Sequence, residues 1–128
     1  MINYKFYKWK PFEIKSYKVK VEKPYEYLSM IFEGSETSKY IQTLIDGIQN
    51  VIDGNPEASF SIENQAGFIG YAFAADSSEK EYPEGGFQVF DFFTLNKDGD
   101  SQMMFTIPLF DILKLLQEFK EFLQEHKK

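Results

Sequence analysis

The chain has 128 residues, of which 43% are hydrophobic and 18% aromatic, and a formal net charge of −6. That length fits one domain, residues 1–128, which can bury roughly two thirds of the surface its unfolded form exposes; the apolar content excludes disorder except at the ends. Cysteine is absent and all fourteen cations are Lys, which excludes disulfides, thiolate nucleophiles, Cys-ligated metals and the bidentate Arg forks that read phosphate or guanine.

The charge is unevenly spread. Residues 1–24 carry seven Lys against Glu13 and Glu22, a balance of +5, whereas residues 25–128 carry seven Lys against eighteen acids, a balance of −11. An acidic chain without Arg is suited to a basic protein partner, so neither nucleic acid nor membrane is expected. The stretch "MINYKFYKWKPFEIK" has no apolar run behind its lysines and no long apolar stretch occurs elsewhere. A cytoplasmic site of action is expected, although a mature periplasmic form would also lack a signal.

Residues 2–9 and 12–22 interleave lysines with aromatic and β-branched residues, the pattern of half-buried strands joined at Pro11. In the second, Phe12 and Ile14 share one parity and Tyr17, Val19 and Val21 the other, which predicts a bulge or bend near Lys15–Ser16. Residues 25–33 are ambiguous. Leu28, Met30 and Phe32 alternate as in a strand, the preferred reading, while Pro24 before Tyr25 and Glu26 would suit a short helix.

From Ser35 the apolar period changes. Tyr40, Ile41, Leu44, Ile45, Ile48, Val51 and Ile52 fall at steps of three and four, predicting an amphipathic helix capped by Ser35 or Thr37 and ended by Gly54-Asn55-Pro56. Gly47 inside it costs about 1 kcal/mol relative to Ala, which the buried stripe outweighs. Residues 58–63 and 67–74 then form a predicted hairpin around Asn64-Gln65-Ala66, and residues 87–96 and 101–107 another around Lys97-Asp98-Gly99-Asp100. Together they make an antiparallel meander. From Pro108 a terminal helix buries Leu109, Ile112, Leu113, Leu116, Phe119 and Leu123, flanked by Leu115 and Phe122, with Lys114 and Glu118 on the wet side. His126, Lys127 and Lys128 suit the dipole at its C-terminus. The fold class is α+β: a mostly antiparallel sheet of about six strands with two amphipathic helices, in the order ββ(β)αββββα.

Little here points to chemistry. His126 is the lone histidine, near a helix end expected to fray, so a catalytic triad and a transition-metal site are both disfavoured. Asp98 and Asp100 lack the closing Glu of a calcium loop, and Gly67, Gly70, Gly85 and Gly86 lack the following Lys of a phosphate cradle. Neither cofactor nor metal is expected. The run "YKFYKWK" superficially resembles a base-stacking surface, but lysines guarding a sheet edge explain it more simply.

Two features remain. Asp91 shares parity with Phe87, Val89, Phe93 and Leu95, which would set a carboxylate in an apolar layer; an acid/base role, an interface role, or a structural cause such as a bulge or a hydrogen-bonded partner are all open. Between residues 75 and 86, Asp76, Glu79, Glu81 and Glu84 crowd around Tyr82 and Pro83. As a docking surface this segment has carboxylates that steer a basic partner, an aromatic anchor, and a proline that limits the ordering cost; a merely solvated loop is the alternative. The candidate partner-binding set is therefore Asp76, Glu79, Glu81, Tyr82, Glu84 and Asp91.

The chain resembles the small acidic immunity proteins encoded beside bacterial polymorphic and contact-dependent toxins. The resemblance lies in the Cys-free α+β body, in "MIFEGSETSKYIQTLIDGI" (residues 30–48), in "FQVFDFF" (87–93), and in "LFDILKLLQEFKEFL" (109–123). It implies a stoichiometric inhibitor, monomeric or weakly dimeric, that binds a secreted toxin domain, often a basic nuclease, and covers its active or substrate-binding surface. The basic N-terminal strands depart from a uniformly acidic inhibitor. A secretion or effector chaperone is the alternative, disfavoured because such chaperones usually begin with a helix; a small enzyme using buried carboxylates is a second.

Overall fold

A computed structural model describes residues 2–10, 16–32, 37–53, 59–63, 68–73, 85–95 and 101–126. The expected α+β fold is found, with strands β1 (Tyr4–Trp9) and β2 (Ser16–Val21), helices α1 (Tyr27–Ile31) and α2 (Ser38–Asp53), strands β3 (Ser59–Glu63), β4 (Phe68–Phe73), β5 (Gly86–Leu95) and β6 (Ser101–Pro108), and helix α3 (Leu109–Glu125). The six strands divide into two antiparallel sheets, a β1–β2 hairpin and a β3–β4–β5–β6 meander. The bend expected near Lys15–Ser16 and the turns at residues 64–66 and 97–100 lie outside the described residues.

Alternation decides which face of the meander is buried. Ile62, Ala72, Phe87, Val89 and Ile107 stand side by side across the four strands and are all buried. Helix α2 covers the β3–β4 side of the sheet, α3 the β5–β6 side, and the two helices pack on each other. The predicted stripe of α2 is buried at Ile41, Leu44, Ile45, Ile48 and Val51, with Tyr40 and Ile52 at its margins. Thr37 is the cap: its Oγ1 accepts from the Tyr40 amide at 3.2 Å, satisfying one of the orphan donors of the first turn.

Helix α3 carries a wider apolar arc than a one-sided surface helix needs. Leu115 is as buried as Leu116 and Phe119, and Phe122 is partly buried beside them. The extra width receives the hairpin. Phe6 of β1 stacks on Phe119 at 5.4 Å between ring centroids and on Phe122 at 5.3 Å, while Tyr17 of β2 meets Phe122 edge-on at 5.9 Å. The helix end expected to fray is held by the same cluster, because the His126 ring stacks on Tyr17 at 4.5 Å.

Residues 25–33 correct the strand reading. Beyond Val21 the chain closes successive turns, Tyr25 N–H to Glu22 O, Leu28 to Tyr25 and Ser29 to Glu26, and α1 follows. Leu28, Ile31 and Phe32 are the buried set, at helical steps of three and four. Leu28 and Phe32 fit both periods, which is why alternation misled. The helix plugs the gap between the hairpin and β4, and Tyr25 packs edge-on against Phe105 of β6.

Gly47 is explained by its neighbour. A Cβ there would lie 2.5 Å from the Phe60 ring of β3, so a side chain would force the ring or the helix to shift. We predict that Gly47→Ala loses about 1–3 kcal/mol by overpacking, more than its gain in helix propensity. Urea denaturation measures it, and the loss should shrink in a Phe60→Leu background; a stabilised Gly47→Ala variant would refute the packing account.

Candidate functional site

Of the residues singled out in the sequence, Asp76, Glu79, Glu81, Tyr82 and Glu84 lie outside the described residues, but both ends of their segment are described. Phe73 pairs with Gly86 across β4 and β5, so the acidic segment springs from one end of the meander. Gly85 adopts φ of 96°, a left-handed conformation open to glycine and strained for other residues, and its carbonyl accepts from the Leu109 amide at 3.4 Å. That bond ties the base of the segment to the first turn of α3.

Asp91 lies where parity puts it. It is 9% exposed and shares the helix-facing side of β5 with Phe87 and Val89. At that depth it offers little surface to a partner, and it lies at the opposite end of the β4–β5 pairing from Gly86. The β5–β6 register shifts on both sides of it, between Val89 and Phe90 and again between Asp91, which opposes Gln102, and Leu95, which opposes Ser101, while the regular pairing of β5 with β4 keeps Asp91 on the side of Val89.

The site that sequence reasoning missed is a cleft of about 260 Å³ between β1 and α3, lined by Ile2, Asn3, Tyr4, Asp111, Lys114 and Glu118. The three charged residues follow helical steps of three and four, which aligns them along one side of α3. Tyr4 has the same parity as Phe6, so seating Phe6 on Phe119 carries the Tyr4 hydroxyl to Glu118, where it donates to Oε2 at 2.9 Å. Burial raises the phenol pKa well above its usual range, reinforced by the hydrogen bond to Glu118 and the charges of Glu118 and Asp111. Tyr4 therefore keeps its proton and acts as a donor. With two carboxylates against one ammonium, the cleft favours cations.

Next to Asp111 in the first turn of α3 is Phe110, 48% exposed and one helical turn from Lys114. An exposed phenylalanine beside an acidic cleft has the anatomy of an interface anchor. The only sequence signal was its place off the apolar stripe.

The outer face of the hairpin has the opposite character. Lys5 stands directly opposite Lys20 and Tyr7 opposite Lys18, and the Lys18 Nζ lies 5.1 Å from the centroid of the Trp9 ring. Tyr7 and Trp9 are 37% and 49% exposed. Among the described residues no three His, Asp or Glu side chains cluster as metal ligands would, and no helix is long and apolar enough to cross a membrane. Comparison with protein-family models, curated proteins and solved structures finds no match.

The raised Tyr4 pKa has a definite sign in stability. The unfolded tyrosine ionises near pH 10 while the folded one keeps its proton, so the contribution is complete below about pH 10 and is lost as pH rises further. We predict that Tyr4→Phe loses about 0.5–1.5 kcal/mol at neutral pH and that its stability falls less steeply than the parent's above about pH 10. Urea melts across that range test this, and parallel curves would contradict it.

Proposed function

We propose that this chain is a non-catalytic protein-binding inhibitor of the immunity type, which neutralises a basic toxin domain by covering its active or substrate-binding surface. The observation that carries the reading is the hydrogen bond from Leu109 to Gly85, which joins the acidic segment to a helix that bears two further features, so that three adjoin α3. These are the base of the acidic segment 76–84, the exposed ring of Phe110, and the cleft containing Asp111 and Glu118. Carboxylates steer a basic partner during encounter, an exposed aromatic supplies the buried anchor, and the cleft accepts an ammonium or guanidinium group from the partner. Tyr4 brings the cleft a donor and not a base, since a phenol that keeps its proton and donates it in a hydrogen bond to Glu118 cannot accept another.

Co-purification with the product of the neighbouring gene is the direct test. A toxin domain bound at one-to-one stoichiometry supports the reading, whereas an effector delivered to a secretion apparatus would move the protein to the chaperone class. With the toxin partner, Phe110→Ala should weaken binding by at least about tenfold, mainly through faster dissociation. Replacing Glu79, Glu81 and Glu84 together by Lys should slow association and remove most of its salt dependence. Unchanged affinity and association rate in the triple variant would end the role given to the acidic segment.

A further inference from the structure

We infer that the outer face of the β1–β2 hairpin is a second docking surface, built to take a short extended acidic segment of a protein that presents carboxylate and apolar side chains along one and the same face. It is separate from the cleft at α3 and opposite to it in charge.

The register of the hairpin sorts its side chains into two sets. Tyr4 and Phe6, facing Val21 and Val19, pack inward toward α3. Lys5 with Lys20, Tyr7 with Lys18, and Trp9 are left on the other side. Two features of this outer set work against stability. Like charges directly opposite each other on antiparallel strands repel, and two large aromatic rings spend much of their surface in water. Lysines on an exposed strand discourage unwanted pairing, but that role needs neither an opposed Lys–Lys pair nor an exposed tryptophan beside it.

What the arrangement suits is an anion with an apolar neighbour. Lys5, Lys20 and Tyr7 border an open hollow of about 530 Å³, so two ammonium groups and a phenol can converge on one carboxylate. Tyr7 and Trp9 lie two residues apart on the same strand face, a spacing of about 7 Å, which is also the spacing of alternate side chains in an extended peptide. A segment with a carboxylate at one position and apolar residues two and four positions along therefore matches this face, on which Lys5 is followed by Tyr7 and Trp9. A nucleic acid strand matches it less well. The face is only about 20 Å long, and a polyanion running past it would meet a remainder of the chain with charge −11 and no Arg to bind its phosphates.

Trp9 is the only tryptophan in the chain, so intrinsic fluorescence reads this face directly. The full-length protein is titrated with a synthetic peptide repeating Glu-Ser-Leu-Ser, which sets glutamate and leucine on one face of an extended strand, and in parallel with oligothymidylate and with phosphatidylserine vesicles. A saturable change with the peptide, weakened by salt and exceeding in affinity the response to the other two probes, is expected. In the double variant Lys5→Gln/Lys20→Gln, peptide affinity should fall about tenfold or more while the melting temperature holds or rises, because the cross-strand repulsion is gone. Loss of binding with gain of stability separates a docking role from a structural one. Lys20→Gln alone, at an exposed site, provides a second folded variant and should lose several-fold. The proposal is overturned if the peptide does not bind, if both variants bind it as the parent does, or if oligothymidylate or vesicles bind more tightly than the peptide.

Discussion

The architecture depends on a helix that must be apolar on more than one side. Were α3 a one-sided surface helix, the meander and α2 would still close a core, but the hairpin would have nothing to sit on. Leu115 and Phe122 extend the buried arc, and Phe6 then stacks between Phe119 and Phe122. Both the cleft and the outer face of the hairpin follow from that contact. It carries Tyr4 to Glu118 and so forms the cleft, and it turns Lys5, Tyr7 and Trp9 toward solvent because a strand that buries one parity must expose the other.

Much of this was legible from local pattern. The stripe of α2, the stripe of α3 and the pairing of β5 with β6 are each set by residues near one another in the chain, and each is found. Asp91 kept the parity of Phe87 and Val89 because β5 pairs regularly with β4 through that position. The lapse at residues 25–33 has an equally local cause, since Leu28 and Phe32 satisfy both a period of two and a helical step.

What could not be read was anything joining distant parts of the chain. Alternation states that a strand has two faces but not which strand lies beside it, so six strands gave no sign of parting into two sheets. The Tyr4–Glu118 hydrogen bond spans 114 positions, and Glu118 taken alone was simply a polar residue on the wet side of a helix. Gly47 looked like a tolerated flaw until Phe60 was found against it. Among the site residues, Asp91 is seen buried, while the acidic segment is known structurally only through its anchors at Phe73, Gly85 and Gly86.

The contact between Phe6 and Phe119 also has a bearing on how the chain folds. The β1–β2, β3–β4 and β5–β6 pairs each join strands close together in the chain and can form early, as local units. Seating the hairpin on α3 requires joining residues from nearly opposite ends of the sequence, and the entropy of closing so long a loop is met only once α3 has already presented its rings. The hairpin is thus the natural last piece to dock in folding and the first to lift away in partial opening, which would uncover the aromatic flank of α3 while leaving the meander intact.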